Sequence, residues 1–150
     1  MDIETAKYMV AGTVGNDKRK PGASVIVIDC LPDMTADQVT DRTAALIQFF
    51  RSTSEVDTPI VLVEAPPDTS MAWFTGKEES ASKNRALKAA FDGLVKAGVQ
   101  GLHYVTSADL FASAGAWANP TVFGTADSTA DLGQYALANF WASALPAIMS

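Results

Sequence analysis

The run ASVIVID, residues 23–29, decides the fold. Val25, Ile26, Val27 and Ile28 follow one another with no polar alternate, the pattern of a strand covered on both faces rather than of one with a wet side. Strands of that kind belong to parallel sheets flanked by helices. Upstream lie a short helical candidate, IETAKYMV (residues 3–10), and a turn-rich linker, GTVGNDKRKPG. Residues 1–22 therefore read as helix and linker, and residues 23–150 as the core of a single partial domain.

Downstream the periodicity changes. Thr35 and Gln38 make a capping box, after which Val39, Leu46, Ile47 and Phe50 recur at helical spacing as far as Ser52. PIVLVE, residues 59–64, is a second apolar strand, closed by Pro66 and Pro67. After a loop containing MAWFTG, residues 79–97 place Leu87, Ala90, Phe91, Leu94 and Val95 on one helical face, with Gly98 positioned to end the helix. LHYV, residues 102–105, is a third strand. A long loop then runs to about Ser128, and a last helix presents Leu132, Tyr135, Leu137, Phe140 and Trp141. Alternating strands and helices imply right-handed crossovers: a three-layer α/β/α, flavodoxin-like parallel sheet, here incomplete at about three strands.

Composition narrows the function. The 150 residues carry a net charge of -6, which opposes binding to a phosphate backbone. The one basic cluster, Lys18-Arg19-Lys20, sits between glycines and a proline and reads as a solvated loop. A single cysteine, Cys30, excludes an internal disulfide framework. No apolar run is long enough to span a bilayer, and the first residues have neither the pattern of a signal peptide nor that of a transit sequence, so a soluble chain of open localisation is expected.

In such sheets ligands bind beyond the carboxyl ends of the strands. Asp29, Asp33, Glu64, Asp68 and Asp109 fall at those ends and could hold a hard cation, although loop carboxylates are more often only solvated. Nothing in their spacing requires a metal or an organic cofactor. Cys30 and His103 offer the one thiol–imidazole pairing, but with strands in chain order PIVLVE would lie between them. Trp73 and Phe74 either line a pocket or fold over the core.

Four segments together resemble the SGNH, or GDSL-type, hydrolases. VIVIDCLPDMT is similar to that family's third block, a strand entering a Cys-x-Pro-Asn-Met turn. PIVLVEAPPDTSMAWF resembles the next strand with its aromatic loop, and LHYVTSADLF the last strand. TVFGTADSTADLGQY is similar to the fifth block, usually Thr-Val-Asp-Gly-Thr-His-Pro-Thr-Asp-Leu-Gly. The resemblance implies an acyl-ester hydrolase fold, and the departures fall on its catalytic positions. Asp33 stands where the family has an oxyanion-binding asparagine, and an ionised carboxylate repels the charge that position stabilises. Phe123 stands for the aspartate, and Ala126-Asp127 replaces the histidine. The nucleophile and glycine blocks would lie before Met1.

Two functions follow as expectations. The first is a non-catalytic, SGNH-derived structural or interaction subunit. It would assemble with itself or with another protein through the strand edge of residues 23–29, with Ser24, Val25, Ile26, Val27 and Ile28 as the interaction edge. The second is a fragment of a serine esterase or acetylhydrolase, completed by another chain or an upstream segment.

Overall fold

The computed structural model describes residues 23–52, 57–65, 76–111 and 131–150. The helical candidate at residues 3–10, the linker, the aromatic loop with Trp73 and Phe74, Asp68, and the Phe123–Ala126–Asp127 stretch lie outside them.

Strand β1 (Ile26–Ile28) leads through a 3-10 turn (Leu31–Asp33) into helix α1 (Ala36–Arg51). Strand β2 (Ile60–Val63), helix α2 (Gly76–Lys96), strand β3 (Leu102–Val105), a short helix α3 (Ser107–Phe111) and helix α4 (Asp131–Ile148) follow. The three strands are parallel in the order β1-β2-β3, with Ile26 opposite Ile60 and Val61 opposite His103. This is the α/β architecture with an incomplete sheet that the sequence implies.

The apolar runs are continuous because the sheet is covered on both sides. Ile60 and Leu62 point into a core shared with Val39, Leu46, Ile47 and Phe50 of α1 and with Leu87 and Leu94 of α2. Their neighbours Val61 and Val63 point the opposite way, onto Leu110 and Ala136, with Leu137, Phe140 and Trp141 alongside. Alternate residues of one strand thus serve two separate cores.

Local signals hold α1 and α2. Thr35 caps α1 reciprocally: the Gln38 amide donates to Thr35 Oγ1 at 3.2 Å, and the Thr35 amide donates to Gln38 Oε1 at 2.9 Å. Gly98 takes φ +86° just past α2, where a side chain would be strained. At the amino end of the sheet Arg51 donates to the carbonyls of Thr58 (2.7 Å), Gln100 (2.9 Å) and Gly101 (3.2 Å). One guanidinium thereby fixes the entry to both β2 and β3.

Three sequence expectations differ from the structure. Val95 is exposed rather than inward, because Leu87, Phe91 and Leu94 define the buried stripe and Val95 turns past it. Tyr135 is exposed too, since Leu137, Phe140, Trp141 and Ile148 form the stripe of α4 that meets the sheet. Helix α3 occupies the start of what reads as a long loop.

Candidate functional site

The carboxyl ends of the strands are tied together by a polar network centred on Glu64. Its Oε1 accepts from the Tyr104 hydroxyl at 2.8 Å and its Oε2 from the Ser107 amide at 2.9 Å. Both carboxylate oxygens are therefore engaged in joining β2, β3 and the start of α3. Burial pushes the Tyr104 phenol well above its usual range, and the Glu64 carboxylate pushes it the same way. Asp109 caps α3: its Oδ2 accepts from Thr106 Oγ1 at 2.6 Å and from the Thr106 amide at 3.3 Å, while its own amide donates to Thr106 Oγ1 at 3.1 Å.

Two residues that the sequence reading missed brace the same edge from α2. Asn84 pairs with the backbone of Ala65 in both directions, accepting from its amide at 2.9 Å and donating to its carbonyl at 3.0 Å. The side chain stands in for a missing strand neighbour. Lys83 is buried to 8% exposure, donates to the Pro32 carbonyl at 3.1 Å and pairs with Glu79 at 2.9 Å. It thereby ties α2 to the turn that carries Asp33.

Asp29 and Asp33 are exposed on that turn. Cys30 is half-buried, with its thiol 3.5 Å from Met34 Sδ. Burial raises the thiol pKa, the opposite of what an activated nucleophile needs. β2 lies between the strand leading to Cys30 and the strand of His103. An apolar recess of about 10 Å³ beside the turn, lined by Cys30, Met34, Arg42 and Leu87, has space for about one water and none for an ester. Among the described residues no three His, Cys, Asp or Glu side chains converge as metal ligands would. No helix among the described residues is long and apolar enough to cross a membrane.

The strand that the sequence reading offers as an interaction edge, residues 24–28, contains β1, which lies at one end of the described sheet. The Ile26 amide donates to the Pro59 carbonyl at 2.9 Å, so Ile26 and Ile28 bond inward to β2. In a parallel ladder the alternate groups, those of Val25 and Val27, then face away from β2. Among the described residues no strand pairs with that side, and Val27 is 40% exposed.

The model of the GDSL-like lipase/acylhydrolase family matches residues 16–145, most of the chain. This protein belongs to that family. A solved structure, that of a GDSL-like lipase from Bacteroides ovatus, superposes with a TM-score of 0.70 at 23% identity. The match covers 85% of the present chain and 36% of the other, so this family member spans little more than a third of that relative's length. No curated protein matches. At that identity the structural likeness establishes the fold alone.

Proposed function

We propose that this GDSL-family chain is a non-catalytic structural or interaction subunit, whose sheet is completed at the outer edge of β1 by a strand from another segment or another chain. One observation carries the reading: Val27, in the middle of an apolar strand, is 40% exposed and its backbone faces away from β2. An apolar edge with outward donors and acceptors is a template for strand addition. The polar groups at the carboxyl edge support the non-catalytic part. Glu64, Lys83, Asn84 and Asp109 each hold backbone in place, and Asp33 brings a negative charge where an oxyanion would need a donor.

A second reading has its own observation. Because the chain covers 36% of the superposed lipase, that protein's fold contains a larger part that could supply a nucleophile, and completion would then build a serine ester hydrolase. Assay on a short-chain p-nitrophenyl ester separates the two. The leading reading expects no turnover; turnover abolished by a serine-directed phosphonate overturns it in favour of the hydrolase. Val27→Pro removes the outward donor and should abolish assembly while leaving helix content unchanged.

A further inference from the structure

The outer side of β1 has a register as well as an exposure. Backbone direction alternates along a strand, so the inward bonding of Ile26 and Ile28 turns the amides and carbonyls of Val25 and Val27 away from β2, and by the same alternation those of Asp29 just past the strand end. None of the three is a proline, so each can donate and accept. The outward run stops at Val25. The chain bends at Ser24, and the Ala23 carbonyl accepts from Thr58 Oγ1 at 3.3 Å, on the β2 side.

A run of this length restricts how an antiparallel copy of itself can pair. With a two-fold axis beside Val27, Val25 lies opposite Asp29 of the second copy and Val27 opposite its own counterpart. Every outward group is then used, because each opposed pair exchanges both N–H···O bonds. Moving the axis to Ile26 sets Asp29 against Ala23, whose carbonyl is already turned inward. Moving it to Ile28 sets Val25 against Leu31, which belongs to the 3-10 turn. Charge selects the direction. In the sequence Lys18, Arg19 and Lys20 precede the run, and Asp29 and Asp33 follow it. Antiparallel copies bring each basic flank toward the acidic flank of the other, whereas parallel strands would bring like toward like. The edge thus asks for a strand of this polarity in the reverse direction, and the chain carries one itself.

We infer that β1 pairs antiparallel with β1 of a second copy of this chain about a two-fold axis at Val27, joining two three-stranded sheets into one continuous sheet. This pairing rests on the proposed completion of the β1 edge and adds to it an occupant, a direction and a register. It also brings the exposed Val27 of each copy against the other at the axis.

Sedimentation equilibrium from micromolar to several hundred micromolar, with disulfide trapping in a Cys30→Ser background, tests it. The mass should rise from 15.8 kDa toward twice that value, and Val27→Pro should weaken association by about tenfold or more through the lost donor at the axis. Opposed residues of a hydrogen-bonded pair stand about 5.5 Å apart between Cα atoms, within disulfide range, so Val27→Cys should give a linked dimer on mild oxidation. Asp29→Cys, exposed in the same segment, should not, because four residues of offset hold its two copies about 13 Å apart. The trapping decides the matter should Val27→Pro disturb folding, which circular dichroism reports. Linking at 29 as fast as at 27 overturns the register and the inference with it. A monomer throughout the range whose Val27 amide exchanges fast overturns self-pairing and leaves the open edge to another strand. A monomer whose Val27 amide is protected overturns the completion of that edge as well.

Discussion

β1 and β2 are neighbours of nearly the same composition, IVI beside IVLV, and they live in different environments. All four residues of β2 are at most 1% exposed, whereas Val27 in the middle of β1 is 40% exposed. Side-chain chemistry cannot account for this. β2 has a strand on each side and a helical layer on each face; β1 has β2 on one side and, among the described residues, no strand on the other. An apolar run records the burial a strand is built for, and its surroundings record the burial it has. The gap between the two marks the side on which the described sheet has no further strand.

The comparison is sharpest under truncation. Leu62→Ala in β2 should cost about 2–5 kcal/mol in chemical denaturation, as a fully enclosed leucine leaves a cavity. Val27→Ala should cost under about 1 kcal/mol in the isolated chain, because a part-exposed side chain leaves little cavity, and appreciably more once the edge is covered. Equal losses at the two sites in the isolated chain would show that β1 is already enclosed.

The Asn84 clamp is the next largest effect. Asn84→Ala leaves the amide and carbonyl of buried Ala65 without their partner, for an expected loss of about 2 kcal/mol, measured the same way. Tyr104→Phe should cost about 1–2 kcal/mol through the bond to Glu64. Its pH dependence has a definite sign. The folded phenol ionises above its ordinary range, so the unfolded chain loses that proton first, and stability falls as pH rises through about 10. That alkaline decline should shrink in Tyr104→Phe. The smallest effect concerns Cys30: its raised thiol pKa means alkylation by iodoacetamide at pH 8 slower than that of an unstructured cysteine peptide, recovering on denaturation.

Much of the fold was legible because it is written in periodicity. Continuous apolar runs marked β1 and β2, the short LHYV segment marked β3, the Thr35 and Gln38 pair marked the start of α1, and Gly98 marked the end of α2. The misread faces, at Val95 and Tyr135, are places where hydropathy names an apolar residue without naming its direction; only the neighbouring stripe settles it. Helix α3 is a five-residue element that depends on Glu64 and on the Thr106–Asp109 cap, too short for a periodic signal. Lys83 and Asn84 were illegible for a different reason. The groups they brace across the fold are the backbone of Pro32 and Ala65, far along the chain, and no spacing rule links them; the Glu79–Lys83 pair at i,i+4 gives no sign of that reach. The turn's Asp33 was visible from sequence as a charge in an unsuitable place, and the structure leaves it exposed beside the strand end.

Amide hydrogen exchange along β1, followed by NMR on dilute, isolated chain, tests the open edge most directly. Slow exchange is expected at Ile26 and Ile28, whose donors point to β2, and fast exchange at Val25 and Val27, with protection of Val27 appearing only when a completing strand binds. Val27 protected as strongly as Ile28 in the dilute chain alone would contradict it, because the chain would then be covering its own edge.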